Sequence, residues 1–171
     1  MCIRDRNNPT NPQNSVTGNN GTNYGATAQA GKIGGASFFS GAAGTFISTD
    51  YVPSFTSSAT ISVWVKPGSS QSEYADILGN HANDGGYKTG MVMQQDGTNL
   101  NKFGWGYGNG SSWPPGTPVV QFATNSWQYA VAVKTGTRNY MYLNSVSQGY
   151  NNDSSSTVSY THLTLPTILR V

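Results

Sequence analysis

The stretch of sequence that decides the fold is ATISVWVKPG, residues Ala59–Gly68. Its apolar residues Ile61, Val63 and Val65 occupy every second position, and a turn-forming Pro-Gly pair ends the run. Alternation with a period of two is typical of a β-strand that packs one face against a core. We therefore predict a strand here, and we expect Trp64, in its middle, to be buried as tryptophans usually are.

Further short runs of the same kind lie on both sides of this strand. Clusters of Gly, Asn, Asp and Pro separate them, as expected for strands joined by tight turns. The predicted strand segments are Gly31–Gly41, Gly44–Thr49, Ala75–Asn80, Gly86–Gly97, Asn101–Gly110, Trp127–Gly136 and Thr137–Ser145. The last two form a predicted hairpin. No segment has apolar residues at helical spacing for long enough to predict a helix, so the sequence predicts an all-β domain.

The two ends of the chain resemble translated sequencing-adapter DNA. Met1–Arg6, MCIRDR, matches the translation of a transposase adapter end, and Val158–Thr167, VSYTHLTLPT, matches its reverse complement with a primer tail. Segments of this kind are left out of fold reasoning. The predicted division is residues 1–6 and 158–171 as adapter-derived, residues 7–23 as an Asn/Thr/Pro/Gly-rich lead-in, and residues 24–157 as the β-domain.

The charge balance and the lengths of the apolar runs exclude two classes of partner. Leaving out Arg4, Arg6 and Arg170 among the nine basic residues, and Asp5 among the seven acidic ones, gives six charges of each sign. A neutral balance offers no electrostatic basis for binding nucleic acid. The chain also has no apolar run of the length that a membrane-spanning helix needs, so we expect no membrane insertion.

Three groups of residues follow one another in an informative order. They are Gly31, Lys32, Gly35, Ala36, Phe39 and Gly41; then Thr60–Pro67; then Trp127, Ala130–Val131 and Tyr142–Asn144. This order resembles the laminin-G-like branch of the concanavalin A-like lectin/glucanase superfamily. The resemblance implies an antiparallel two-sheet jelly-roll sandwich. It also implies closing strands beyond this point, and we expect these C-terminal strands to be missing because the adapter-like end precedes them.

The acidic residues do not form the pattern that an enzyme of this fold needs. Retaining glycoside hydrolases hold two carboxyl groups about 5–5.5 Å apart, which on one strand requires acids at alternate positions. Between the adapter-like ends the only glutamate is Glu73, and Asp76 follows three positions later. His81, in GNHANDGG, is interpreted as an exposed loop residue. We expect no catalytic residue and no enzymatic activity.

Aromatic residues in a glycine-rich segment are the best candidates for a binding site. Trp105, Tyr107 and Trp113 lie in KFGWGYGNGSSWPPG, Lys102–Gly116. Trp105 and Tyr107 are two positions apart, so in an extended chain their side chains point to the same side and form a platform for sugar rings. Asn109 supplies an amide that can hydrogen-bond hydroxyl groups. The alternative is that the rings pack inside the sandwich.

Aspartates in turn-like segments suggest a calcium site. Asp50, Asp84 and Asp96 supply the oxygen ligands that Ca²⁺ prefers. The alternative is turn chemistry, because tight turns select Asp-Gly and Asn-Asp pairs without any metal. The sequence leaves both open, and it implies no other cofactor.

The function that these features favour is a non-catalytic carbohydrate-binding or adhesive recognition module within a larger extracellular or surface protein. Its expected partner is a glycan or a cell-surface ligand, and its expected location is extracellular, on a cell surface or on a virion. One alternative is a structural or adhesion module of a virion or cell-surface array that binds no small ligand. The third is a glycoside hydrolase of the same fold.

Overall fold

The regular structure of the chain consists of β-strands. A computed structural model describes residues 20–49, 58–81, 89–114 and 116–152, and the backbone of 163–165. The strands are β1 (Thr22–Tyr24), β2 (Thr27–Ala30), β3 (Gly35–Phe38), β4 (Phe46–Thr49), β5 (Ala59–Val65), β6 (Asp76–Gly79), β7 (Met91–Gln95), β8 (Lys102–Tyr107), β9 (Val120–Gln121), β10 (Gln128–Lys134), β11 (Arg138–Leu143), β12 (Val146–Asn152) and β13 (Leu163–Leu165). Within these ranges no helix is long and apolar enough to cross a membrane.

The strands form two main antiparallel sheets and a separate hairpin. The larger sheet has the order β1-β4-β13-β6-β7-β8-β9, the smaller sheet has the order β12-β11-β10-β5, and β2 pairs with β3. The apolar faces of the two main sheets enclose one core. This confirms the predicted all-β, antiparallel sandwich, and strand β1 takes in the end of the predicted lead-in.

The core packs large side chains of one sheet against small side chains of the other. Strand β8 turns Phe103, Trp105 and Tyr107 inward, and each is 2% exposed or less. Strand β10, in the opposite sheet, turns Ala130 and Ala132 inward, and these are equally buried. Rings facing methyl groups fill the space between sheets at the density that protein interiors require.

Two of the four tryptophans, Trp64 and Trp105, lie on the opposite sides from those that the sequence predicted. Trp105 is 2% exposed in the core, whereas Trp64 is 38% exposed on the outward face of the smaller sheet. The expectation that Trp64 is buried was therefore wrong. The reason is strand parity, which turns Trp64 outward to lie opposite Tyr129 of β10, with 5.1 Å between their ring centroids. The inward positions of β5 belong to its aliphatic residues.

The hairpin of β11 and β12 closes on two residues, Asn144 and Ser145. Their φ angles are 51° and 70°, and Leu143 pairs with Val146 across the turn. Positive φ at both central positions is the signature of a type I′ turn, which fits the twist of antiparallel strands. The turn keeps this geometry although a serine stands where a glycine would be more favourable.

The segment Leu163–Leu165 forms a central strand of the larger sheet. It pairs with β4 through Leu163↔Thr49, Thr164↔Ser48 and Leu165↔Ile47, and with β6 through Thr164↔Gly79. The position for which the sequence predicted a missing closing strand is thus taken by residues from the adapter-like end. Backbone pairing requires only an extended segment that is free to donate and accept hydrogen bonds, so the origin of this segment remains a prediction.

We predict that Trp105→Ala destabilises the domain far more than Trp64→Ala. Removing a fully buried aromatic side chain costs about 3–5 kcal/mol, whereas an exposed cross-strand aromatic pair contributes about 0.5–1.5 kcal/mol. Urea denaturation followed by tryptophan fluorescence and circular dichroism measures both. Equal losses would contradict the burial assigned to the two side chains.

We also predict that Thr164→Pro lowers the melting temperature. Proline cannot donate to a sheet ladder and is not tolerated in a central strand, and Thr164 lies between two pairing partners. Differential scanning calorimetry of Thr164→Pro and of Thr167→Pro, two positions after the last residue of β13, provides the comparison. If the two variants melt alike, residues 163–165 do not belong to the sheet in solution.

Candidate binding cleft

A carboxylate, an amide and an imidazole meet on the outward face of the larger sheet. Asp76 of β6 pairs across strands with Gln94 of β7, and Asp76 Oδ1 accepts a hydrogen bond of 3.0 Å from Gln94 Nε2. His81 Nδ1 lies 3.7 Å from Asp76 Oδ2. Because Gln94 lies between the buried residues Met93 and Gln95 on β7, its side chain and that of Asp76 point away from the core.

Glycine at position 79 lets His81 lie over the sheet. A Cβ atom at Gly79 would stand 3.2 Å from His81 Nδ1, so the ring would have to shift by a few tenths of an ångström. Asn80 stabilises the end of β6, because its side-chain oxygen accepts a hydrogen bond of 2.9 Å from the backbone N–H of Met91. Strand β6 therefore ends with the imidazole folded back toward Asp76.

The sheet surface beside these polar groups is low. Gly106 of β8 pairs with Val92 of β7, and a Cβ atom at Gly106 would meet nothing within 4 Å. Gly104 occupies the equivalent position opposite Gln94. At Gly106 no side chain rises from the backbone, so the outward face is low at that point, whereas the space above Gly104 is bordered by Val119 and Thr117.

Trp113 forms a wall of this depression. Its ring lies edge-on to that of His81, with 5.8 Å between centroids and 71° between planes. Trp113 is half-buried, so part of the indole contacts solvent. We refer to the arrangement of Asp76, His81, Gln94, Trp113 and the glycine floor as the cleft.

Burial perturbs the carboxylate of the cleft. Desolvation raises the pKa of Asp76 above its ordinary value, and the opposing effects of His81 and of the hydrogen bond from Gln94 do not cancel it. The carboxylate is thus partly stripped of water without being fully compensated by the protein. Among the described residues its side-chain partners are Gln94 and His81, and an ionised carboxylate accepts at about four lone-pair positions, so these two partners leave acceptor positions for a ligand.

Of the four predicted binding residues, the structure places only Trp113 at this cleft. Trp105 and Tyr107 are in the core, so the predicted aromatic platform was wrong. Asn109 Oδ1 accepts hydrogen bonds from the backbone N–H groups of Ser111 and Ser112. The amide of Asn109 therefore shapes the loop that carries Trp113.

The residues that the sequence analysis did not select are Asp76, His81 and Gln94. His81 was interpreted as an exposed loop residue, but its side chain is 30% exposed and contacts both Asp76 and Trp113. The signal that could have identified it is the Gly79-Asn80-His81 sequence, since a glycine two residues before a histidine permits close approach of the ring to the strand.

The predicted calcium ligands are not brought together by the described part of the chain. Asp50 and Asp84 lie outside the described residues. Asp96 is exposed in the turn after β7, where its Oδ2 accepts a 3.0 Å hydrogen bond from Asn99 Nδ2. In the described ranges no three His, Cys, Asp or Glu side chains group as a metal site would require, and Asp96 has the turn role that was the alternative.

Solved structures share this fold at low sequence identity. Domain 4 of an extracellular GH43 arabinanase from Geobacillus stearothermophilus, in complex with arabinotriose, matches with a TM-score of 0.69 and 18% identity over 95% of this chain and 80% of that one. The binding domain of Paraclostridial Mosquitocidal Protein 1 matches with a TM-score of 0.68 and 11% identity over 95% of this chain. This chain spans 42% of that second protein chain.

Sequence comparison identifies the family although no curated protein matches the chain. The family described as the concanavalin A-like lectin/glucanases superfamily matches residues 39–167. This range extends from the end of β3 to the last described strand and covers well over half of the chain. Together with the two-sheet antiparallel sandwich, the match establishes that the chain belongs to the concanavalin A-like lectin/glucanases superfamily.

Proposed function

We propose that the domain is a non-catalytic carbohydrate-binding module and that its glycan lies in the cleft. The observation that carries the proposal is Asp76, a partly desolvated carboxylate beside the half-buried ring of Trp113 over a glycine floor. A carboxylate whose burial is not fully compensated destabilises the fold, and carboxylates perturbed in this way cluster at functional sites. Hydrogen bonding to a ligand is one such function.

The chemistry of the cleft fits that of a sugar. A pyranose or furanose ring has apolar C–H faces and a rim of hydroxyl groups, so its recognition needs an apolar surface and polar groups close together. Trp113 offers the apolar surface. Asp76 accepts hydrogen bonds from hydroxyl groups, and Gln94 both donates and accepts them. A hydrogen bond to the charged carboxylate is about twice as strong as a neutral one.

The structural neighbours support a glycan ligand. The arabinanase domain binds arabinotriose, and its fold is shared by this chain over nearly its whole length. That protein is extracellular, and we place the present domain likewise in a larger extracellular or surface protein. The module would then hold its parent protein on a polysaccharide or on a glycan-bearing surface.

The absence of catalysis is supported by the surroundings of Asp76. Its neighbours in the cleft are an amide and an imidazole, whereas retaining hydrolysis needs a second carboxyl group about 5–5.5 Å away. Among the described acidic residues, Glu73 is exposed in the loop before β6 and Asp96 is exposed in the turn after β7. Neither takes part in the contacts that form the cleft.

We predict that Trp113→Ala weakens glycan binding by about tenfold or more. Covering an aromatic face contributes roughly 1.5–3 kcal/mol, and 1.4 kcal/mol corresponds to tenfold in affinity. A glycan array identifies a ligand and isothermal titration calorimetry gives its affinity. Tyr74→Ala is the matched control, because Tyr74 is 59% exposed in a loop that contributes nothing to the cleft. Unchanged affinity in Trp113→Ala, or no bound glycan on the array, would contradict the proposal.

We predict that Asp76→Asn weakens binding by about tenfold or more and yet stabilises the domain at neutral pH. Burial raises the pKa of Asp76 in the folded protein. The group therefore stabilises the fold fully below its pKa in the unfolded chain, and this contribution is lost as the pH rises through its pKa in the folded protein. Asparagine has no such dependence. It keeps an oxygen that can accept from Gln94, so little else changes.

Thermal melts between about pH 3 and pH 8 measure this effect, with Asp96→Asn as the control because Asp96 is exposed. The stability gain of Asp76→Asn over the parent protein is expected to grow with pH, while Asp96→Asn shows no such trend. An Asp76→Asn variant that is less stable than the parent at pH 7 would show that the carboxylate serves the fold and not a ligand.

A further inference from the structure

The outward face of the smaller sheet carries a band of aromatic rings, on the opposite side of the sandwich from the cleft. We call it the aromatic band, and its members are Trp64, Tyr129, Tyr140, Tyr142 and Tyr150. Trp64 and Tyr150 are 38% and 45% exposed, and the other three are half-buried. The rings alternate with the inward residues of β5, β10 and β11, so the sandwich core does not use them.

The rings lie along a diagonal across the four strands in two groups, a group of three and a pair. The ring centroid of Tyr140 lies 6.4 Å from that of Tyr142, with nearly parallel ring planes. It lies 5.4 Å from the ring centroid of Tyr150 on the neighbouring strand. At the other end Trp64 of β5 packs against Tyr129 of β10. With a strand spacing of about 4.8 Å and a rise of about 3.4 Å per residue, the band spans roughly 20 Å. An oligosaccharide, rather than a single sugar, matches that length.

Cations stand at both ends of the band. The guanidinium carbon of Arg138 lies 4.4 Å from the centroid of Tyr150, and Arg138 Nη1 donates a 3.4 Å hydrogen bond to the hydroxyl of Tyr140. Lys32 Nζ lies 5.6 Å from the ring of Trp64. The described acidic side chains lie elsewhere, on the larger sheet and its loops: Glu73, Asp76 and Asp96. The described part of this face is therefore positively charged.

We propose that the aromatic band is a second carbohydrate site, specific for an anionic oligosaccharide that carries carboxylate or sulfate groups. The ring faces cover the apolar C–H faces of successive sugars. Arg138 contacts the ring of Tyr150 and the hydroxyl of Tyr140, and its remaining N–H groups can bind an anion in the forked geometry that suits carboxylate and sulfate oxygens. The site is separate from the cleft and does not depend on the function proposed for it.

A glycan fits this face better than a protein or a lipid surface does. Exposed hydroxyl side chains share the face with the rings: Thr60, Ser62 and Ser147. The cores of protein interfaces are depleted of serine and lysine, and insertion into lipid requires a larger aliphatic surface. Rings interspersed with hydroxyl groups match a ligand that is itself apolar on its faces and polar at its edges.

The test measures the affinity of the full chain for three polymers that differ in whether they carry an anion and in which anion they carry. Polygalacturonate carries carboxylates, dextran sulfate carries sulfates, and dextran is neutral. Affinity gel electrophoresis and calorimetry are applied to the parent protein, Arg138→Gln, Tyr140→Ala and Lys102→Gln. Lys102 is an exposed cation on the larger sheet, so its variant is matched in charge to Arg138→Gln but leaves the band intact.

We expect binding of at least one acidic polymer, at least tenfold weaker in Arg138→Gln and in Tyr140→Ala, and unchanged in Lys102→Gln. Preference between polygalacturonate and dextran sulfate identifies the anion. Trp113→Ala should retain this binding, which separates failure of the band from failure of the cleft. Because Arg138 is fully exposed, Arg138→Gln reports on binding even if Tyr140→Ala fails to fold. Three results would overturn the proposal. They are an equal loss of affinity for the acidic polymer in Arg138→Gln and Lys102→Gln, binding of neutral dextran as tight as that of the acidic polymers, and no binding of either acidic polymer by the parent protein.

Discussion

Strand β8 places all of its aromatic side chains on one side, and the rest of the domain depends on this division. Phe103, Trp105 and Tyr107 face inward and are matched by the alanines of β10 in the opposite sheet. The other side of the same strand carries Gly104 and Gly106. A strand that contributes so much volume to the core contributes almost none to the surface above it. The floor of the cleft is thus a direct consequence of how the core is filled.

The two outward faces differ in chemistry because the two sheets fill the core differently. The larger sheet uses its aromatic residues inside and leaves glycines, a carboxylate and an amide outside. The smaller sheet turns alanines and aliphatic residues inside, so its aromatic residues remain on the surface. Even a lysine follows the inward pattern of β10, since Lys134 occupies the next inward position and is 1% exposed. Its Nζ donates a 2.9 Å hydrogen bond to the hydroxyl of Tyr107.

Local pattern predicted the strands but not which face each one buries. The alternation of Ile61, Val63 and Val65 correctly located β5, and the two hairpin segments correctly located β10 and β11. Trp105 was misjudged because its neighbouring glycines were taken as a sign of an irregular segment, whereas they are the outward half of a regular strand. Strand parity is local, but burial depends on the partner sheet, which the sequence alone does not reveal.

The cleft was harder to predict than the fold because its residues are distant in sequence. Asp76 and Gln94 meet only through the pairing of β6 with β7, which includes a register shift between Asp76 and Leu78. A shift of one residue reverses the face on which a side chain lies, so no pattern within β6 alone places its aspartate. Trp113 reaches the cleft through a loop whose shape depends on hydrogen bonds to Asn109.

The positions of the cleft and the aromatic band, on opposite faces of one sandwich, constrain how a polymer can engage both. Packed sheets are about 10 Å apart, and outward side chains add to that separation, so a single short oligosaccharide cannot reach around the edge to fill both surfaces. Two separate chains, or distant parts of one long chain, can. The second contact then forms at the high effective concentration set by the first, and polysaccharides gain avidity that short oligosaccharides do not.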